Sequence, residues 1–98
     1  MFSLKATKEF SRWLERLKDH EARGRLLFKI EALRKTGHAG DFKAIGEGVY
    51  EGRFHFGPGY RIYYARRGAE VILFLMGGTK TTQRADIELA KKLNRSYE

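Results

Sequence analysis

The fold is most readily recognised in residues 49–86, which read VYEGRFHFGPGYRIYYARRGAEVILFLMGGTKTTQRAD. Two turn signals, Gly57-Pro58-Gly59 and Arg67-Gly68, divide this segment into three runs of strand-like composition. Pro58 presets φ at about −65° and Gly59 accepts a positive φ, as a type II turn requires. The run 70–76 is almost continuously apolar, which favours a central strand covered on both faces. The segment therefore predicts an antiparallel meander.

Before this segment, the apolar residues repeat at a helical period. A first helix is predicted over residues 7–18, with Thr7 as its cap. Its apolar face consists of Phe10, Trp13, Leu14 and Leu17. A second helix is predicted from Asp19 to about residue 35, with Gly37 as its C-cap. So short a link between them predicts an antiparallel helical hairpin.

The two ends of the chain complete the order of elements. Residues 1–4 are expected to form an edge strand, and residues 41–45 to lead into the sheet. A last helix is predicted from Thr81 or Thr82 to about residue 94. The order β-α-α-β-β-β-α predicts a single α+β domain over residues 1–98. In it, an antiparallel sheet packs on the N-terminal helical hairpin, with a C-terminal helix.

The composition points to an anionic partner. Lys and Arg number 20 against 12 Asp and Glu, for a formal net charge of +8. Such an excess favours nucleic acid or a ribonucleoprotein, with generic solubility or an acidic partner protein as alternatives. The chain has no cysteine and no apolar run of the roughly 18–20 residues that span a bilayer. Because the N-terminus also lacks an apolar signal core, we expect a cytoplasmic protein without membrane association.

Strand alternation places the cations. In the run 49–56, Tyr50, Phe54 and Phe56 are expected to face the helices, and Arg53 and His55 to face the other way. Arg61 and Tyr63 share that opposite face, so Arg53 and Arg61 should lie close across the hairpin. Like charges in such positions are destabilising unless an anion lies between them. Alternatively, Glu51 pairs with one of the arginines as an ordinary surface salt bridge.

Other residues of this region are compatible with chemistry on RNA. His55 suits a general acid or base, or is a surface imidazole beside the turn. Tyr63 suits stacking on an RNA base, or is a sheet-surface aromatic. Lys80 follows the apolar strand near a predicted helix start, where anions are favoured, and Lys43 could steer a phosphate backbone. The histidines and acids show no metal-ligand spacing, so no metal or cofactor is expected.

The sequence resembles the addiction-module killer proteins, on the HigB-like side of the RelE/ParE superfamily of bacterial toxins. The resemblance covers essentially the whole chain. It is carried by Glu51-x-Arg53, Gly57-Pro58-Gly59-Tyr60-Arg61-x-Tyr63, Gly77-Gly78-x-Lys80, Gln83, Asp86-Ile87 and the Phe10, Trp13 and Leu14 pattern. Two positions depart from the family: Gly52 replaces a large aliphatic residue, and Thr79 replaces an Asp before the Lys. Gly52 is expected to leave a gap in the core or to mark a bulge.

The resemblance implies the toxin of a type II toxin–antitoxin pair. RelE-type members cleave messenger RNA on the ribosome, and their antitoxin is commonly a helix-turn-helix protein. Metal-independent cleavage by the substrate 2′-OH then implies catalytic roles for Arg53, Arg61, Lys80 and His55. Lys43, Tyr63 and Gln83 are the corresponding candidates for RNA binding. The alternatives are a ParE-type toxin that poisons DNA gyrase, and a non-catalytic basic module that binds RNA or its antitoxin.

Overall fold

The computed structural model describes residues 1–97 and shows five strands and three helices. In chain order these are β1 (Ser3–Ala6), α1 (Lys8–Glu15), α2 (His20–Thr36), β2 (Phe42–Gly46), β3 (Val49–Phe54), β4 (Tyr60–Arg67), β5 (Val71–Thr79) and α3 (Gln83–Ser96). The sheet order is β1-β5-β4-β3-β2, and only the β1–β5 pair within the described chain is parallel. The predicted α+β class is confirmed, and residues 42–46 add a strand of their own to the predicted order. No helix within residues 1–97 is long and apolar enough to cross a membrane.

The helix ends follow from local hydrogen bonding. The Thr7 hydroxyl accepts a hydrogen bond from the Phe10 amide, and the Asp19 carboxylate accepts one from the Ala22 amide. Gly37 ends α2 in the left-handed conformation, with φ of 81°. α1 ends at Glu15, three residues before the predicted end, because the chain must turn to start α2.

The helices cover both faces of the sheet. α1 and α2 pack on the face that carries Phe54, Ile62, Tyr64, Ile72 and Phe74. α3 packs on the opposite face, which carries Val49, Tyr63, Ala65, Leu73 and Leu75. The prediction that the apolar strand β5 is covered on both faces is confirmed. The reason is the apolar stripe of α3, which needs a partner surface of its own.

Gly52 neither leaves a gap nor marks a bulge. It pairs regularly with Phe42 on one side and Ile62 on the other. A Cβ atom at this position would lie 2.9 Å from the Cβ atom of Ala39. The segment that follows α2 therefore fills the space in which a large aliphatic side chain was expected.

Candidate nucleic-acid interface and active site

Four cationic residues lie on, or directly after, four neighbouring strands of the sheet. Arg53 on β3 is the direct partner of Arg61 on β4, and Arg61 in turn pairs with Gly78 on β5. Lys80 directly follows the last residue of β5, and Lys43 on β2 pairs with Glu51. Lys43 and Lys80 are exposed. We call Lys43, Arg53, Arg61 and Lys80 the cationic row; it crosses the sheet next to the first turn of α3.

Arg61 carries a buried charge that forms no salt bridge with a carboxylate of residues 1–97. Its side chain is only 7% exposed. Nη1 donates to the carbonyl oxygens of Gly59 and Tyr60, at 3.1 and 3.2 Å. Within residues 1–97, no carboxylate lies within salt-bridge distance of Arg61, and its buried Nε has no hydrogen-bond partner. A buried cation without an acidic partner is costly, so this arginine is a candidate for binding an anion.

Glu51 is the hub of the polar groups beside the row. It is fully buried, at 0% exposed. Its carboxylate accepts hydrogen bonds from Arg53 Nε at 2.9 Å, Gln83 Nε2 at 2.6 Å and the Tyr63 hydroxyl at 3.3 Å. Burial alone would raise the pKa of Glu51, but the hydrogen bonds from Gln83 and Arg53 outweigh it and lower the pKa. Glu51 is therefore a buried carboxylate anion that links β3 and β4 to the start of α3.

Arg53 differs from Arg61 in that it has a partner and an open side. The hydrogen bond and charge of Glu51 raise the pKa of Arg53. Its side chain is 31% exposed. Apart from the bond through Nε, its guanidinium donates to no other group in the described part of the chain. The two terminal nitrogens of Arg53 are thus available for a ligand, and Glu51 holds them in place.

Two of the predicted RNA-binding residues donate hydrogen bonds to Glu51. Tyr63 is 0% exposed beneath α3, so the expectation that it stacks on an RNA base is wrong. Burial and the nearby Glu51 charge raise the pKa of Tyr63, which keeps its hydroxyl a hydrogen-bond donor. Gln83 is half-buried, and its amide nitrogen donates to Glu51. Both side chains position Glu51, and through it Arg53.

His55 lies at the edge of the row and has an acidic partner. Its Nε2 lies 2.5 Å from Asp41 Oδ2, and the side chain is 70% exposed. The hydrogen bond from His55 lowers the pKa of Asp41. The main chain supports the pair, because the Arg53 amide donates to the Asp41 carbonyl oxygen at 2.8 Å. An exposed imidazole oriented by a carboxylate is suited to proton transfer.

The start of α3 is close to the cationic row. Its N-cap residue is Thr82, which is one of the two predicted candidates. The Thr82 hydroxyl, however, accepts no hydrogen bond from an amide of the helix. That hydroxyl donates instead to Asp86 Oδ2 at 2.5 Å, and burial raises the pKa of Asp86. A Cβ atom on Gly59 would lie 3.3 Å from Lys80 Cβ and 3.4 Å from Arg61 Nη1, so Lys80 and Arg61 flank this turn.

A family model matches residues 12–97 of this chain, described as phage derived protein Gp49-like (DUF891). The chain belongs to the Gp49-like family. An uncharacterized protein of Haemophilus influenzae (strain Rd) is 37% identical over 90 residues, which cover 92% of this chain and 90% of that protein. The residues matched by the family model include the whole cationic row and the helices α2 and α3 that flank the sheet.

The fold of this Gp49-like protein is also that of RelE. A mutant of the E. coli toxin RelE, solved in the free state, superimposes with a TM-score of 0.73. The match covers 93% of this chain and 96% of RelE at 17% sequence identity. Family and fold together confirm the resemblance to the RelE/ParE superfamily.

The alternative in which Glu51 pairs with one of the two arginines is confirmed for Arg53. The pair is not an ordinary surface salt bridge, because the Glu51 side chain is buried. Sequence reasoning missed one residue of the site. Asp41 was not singled out, because it reaches His55 only through the pairing of β2 with β3. In residues 1–97, no group of three or more histidine, cysteine or acidic side chains could hold a metal ion.

Proposed function

We propose that this Gp49-like protein is the toxin of a type II toxin–antitoxin pair and cleaves messenger RNA on the ribosome without a metal ion. The observation that carries the proposal is the cross-strand pairing of Arg53 with Arg61, one open and held by Glu51, the other buried without a carboxylate. Two adjacent guanidinium groups match the oxygens of one phosphodiester. The RelE fold supports the same class of protein.

The proposed reaction uses the substrate as its own nucleophile. The 2′-oxygen attacks the adjacent phosphorus, the bond from phosphorus to the 5′-oxygen breaks, and a cyclic 2′,3′-phosphate is left. The pentavalent transition state carries extra negative charge, which Arg53 and Arg61 stabilise. Lys80 and the first amides of α3 add positive potential to the same region.

His55 is the proposed proton-transfer group. It takes the proton of the 2′-OH or supplies one to the leaving 5′-oxygen, and Asp41 orients its ring. The 2.5 Å contact between Nε2 and Asp41 Oδ2 leaves Nδ1 as the ring nitrogen available to the substrate. Lys43 and Gln83 complete the proposal: Lys43 steers the backbone of the RNA, and Gln83 acts through Glu51.

The proposed partners are the message, the ribosome and a cognate antitoxin encoded beside the toxin. A net charge of +8 favours both the ribosome and an antitoxin that presents acidic groups. By the resemblance, that antitoxin is a helix-turn-helix protein. The proposed site of action is the cytoplasm, where messages are translated.

The test is inducible expression followed by mapping of RNA 5′ ends on translated messages. We expect codon-phased cuts with the wild-type chain. Arg61→Lys keeps a charge but loses the planar fork, so we expect cutting to fall about 10²–10³-fold. Lys80→Gln tests the row with an exposed residue, and Lys92→Gln on the exposed side of α3 is the matched control.

Three results would contradict the proposal. Growth arrest with intact messages and gyrase-linked DNA breaks indicates a gyrase poison instead. Salt-sensitive RNA binding without cutting or growth defect indicates a non-catalytic module. Equal cutting by Arg61→Lys, Lys80→Gln and the wild type, with all three folded by circular dichroism, removes the proposed site.

A further inference from the structure

A cleft of about 290 Å³ lies between α2 and the end of β3, and Arg53 of the cationic row forms part of its wall. The residues that line it are Arg25, Lys29, Gly40, Asp41, Arg53, Phe54, His55 and Phe56. Its volume is just below the range of about 300–1,000 Å³ that is typical of small-molecule sites. The cleft therefore suits one phosphate with its sugar rather than a whole cofactor.

The charge of this cleft is positive. Arg25 and Lys29 lie one turn apart on α2, and both are exposed. Within residues 1–97, neither forms a salt bridge with a carboxylate. Asp41 is the one acidic residue of the lining, and its carboxylate is engaged by His55. Together with Arg53, the cleft presents three cations that can bind anions.

Arg25 is held in place before any ligand binds. Its guanidinium carbon lies 3.9 Å from the centre of the Phe56 ring, in a cation–π contact. Stacking on the ring leaves the edges of the guanidinium free to donate hydrogen bonds. A side chain that is already ordered loses less conformational entropy when it binds a ligand.

The cleft continues along α2 rather than ending at Lys29. A second cleft of about 310 Å³ shares Lys29, Gly40 and Phe54 with it. This second cleft extends to Thr36, the last residue of α2, and to His38 just beyond the helix. Lys29 thus lies where the two clefts meet, and we call the two clefts together the groove.

We propose that this groove binds the backbone of single-stranded RNA on one side of the cleaved phosphodiester, with Arg25 and Lys29 each contacting one phosphate. The inference rests on the proposed function, since it places the cleaved bond at Arg53 and Arg61. Arg53 belongs to both the row and the groove. An RNA strand that runs along the row can therefore enter the groove while its phosphates stay close to cationic side chains. An acidic protein segment is the other anionic ligand, and the test separates the two.

The test is fluorescence anisotropy with 2′-O-methylated oligouridylates, which bind but cannot be cleaved. The double variant Arg25→Gln/Lys29→Gln is compared with Lys5→Gln/Lys92→Gln, which removes the same charge from β1 and α3. We expect the groove variant to bind an octanucleotide about tenfold more weakly than the control at physiological salt. The slope of log K against log[salt] should fall in magnitude by about 1.4, or about 0.7 for each phosphate that is no longer neutralised. A dinucleotide, which reaches only the cationic row, should bind both variants equally.

Four results overturn the inference. The two double variants bind the octanucleotide equally, or the groove variant loses as much affinity for the dinucleotide as for the octanucleotide. The wild type does not bind the octanucleotide, or polyglutamate displaces the labelled octanucleotide as well as unlabelled RNA does at the same concentration of charge. Failure of the proposed function looks different: messages remain uncut in cells, while the length-dependent loss of binding persists. Conversely, the messages can be cut in a way that depends on Arg61 while the groove variant binds RNA as the control does. That result contradicts the groove proposal and leaves the proposed function intact.

Discussion

At the scale of single residues, the site depends on the unequal environments of two arginines. Arg61 is buried and bonded to carbonyl oxygens, whereas Arg53 is partly exposed and fixed by a carboxylate. Glu51 makes this difference, because it neutralises one guanidinium and leaves the other uncompensated. A buried carboxylate that accepts three hydrogen bonds also couples the site to the stability of the whole domain.

Glu51→Gln should destabilise the fold in a pH-dependent way. At about pH 7 we expect a loss of about 1–3 kcal/mol, because hydrogen bonds to a charged acceptor are replaced by weaker ones. Glu51 has a lowered pKa in the folded state, so its contribution is present above its unfolded pKa and is lost as the pH falls through its folded pKa. The difference between wild type and variant should therefore shrink below about pH 4.5. Urea denaturation at several pH values measures it.

The matched control for this experiment is Glu88→Gln, on an exposed position of α3. We expect its effect to stay within about 0.5 kcal/mol. The raised pKa of Asp86 makes its contribution to the free energy of unfolding change with pH in the opposite direction. Asp86 is present in the wild type and in every variant, so this contribution cancels when their free energies of unfolding are compared. A Glu51→Gln effect that is independent of pH would show that packing, and not charge, holds this residue.

Substitutions of His55 and Asp41 should lower the rate of cleavage to different extents. If His55 transfers a proton, His55→Gln lowers the rate of cleavage about 10²–10⁴-fold. Asp41→Asn should lower it less, because the imidazole remains and loses only its orienting partner. His20→Gln, at the exposed start of α2, is the control. Single-turnover cleavage on programmed ribosomes gives the rates, and equal rates for His55→Gln and the control exclude the proposed role.

At the scale of elements, the end of β5 is constrained from both faces of the sheet. A Cβ atom on Gly77 would overlap the indole ring of Trp13 on α1. A Cβ atom on Gly78 would overlap the Asp86 carboxylate on α3. The two glycines let α1 and α3 approach β5 closely, and this brings the first turn of α3 to the cationic row.

Gly77→Ala should therefore destabilise the protein. Overpacking of a close contact costs about 1–3 kcal/mol, since Trp13 must leave its position against Phe10 and Tyr60. The same substitution at Gly24, in α2 with no atom within 4 Å of the added Cβ, is the matched control. We expect Gly24→Ala to stabilise the protein by about 0.5–1 kcal/mol. Thermal unfolding of both variants checks the opposite signs, and equal shifts would contradict the packing argument.

At the scale of the whole molecule, part of the net charge of +8 is concentrated in the cationic row, which runs across the strands of the sheet. The cationic row crosses four strands, and the two clefts along α2 continue from it. Elsewhere the charges are partly paired, as in the contact of Arg95 with Glu47. The proposed anion-binding track is therefore a local feature of the surface, formed by the row and the two clefts.

Binding of single-stranded RNA should consequently depend steeply on salt. If Arg53 and Arg61 together neutralise one phosphate, and Lys43 and Lys80 neutralise one each, the affinity of the wild type should fall about 20-fold between about 50 and 200 mM salt. Anisotropy titrations with the uncleavable octanucleotide measure the slope, and the groove should make it steeper still. A fall of less than about threefold would show that the positive charge is not used for binding a phosphate backbone.

The elements and their class follow from local patterns. Apolar residues at a period of 3.6 predict α1, α2 and α3, and the capping roles of Thr7, Asp19 and Gly37 depend on residues close in sequence. Strand alternation also predicts the pairing of Arg53 with Arg61, because the turn at residues 57–59 fixes the register between β3 and β4. Each of these features depends on residues that are close together in the chain, so it can be predicted from the sequence.

The burial of the site and its supporting contacts arise from tertiary packing. The sequence does not reveal that α3 lies on the face opposite the hairpin, and that placement turns Tyr63 from an exposed aromatic into a buried donor for Glu51. The partnership of Asp41 with His55 and the groove beside Arg25 likewise join segments that are distant in the chain. Such contacts depend on how whole elements pack, because the free energy of packing is shared among many side chains and no single motif encodes it.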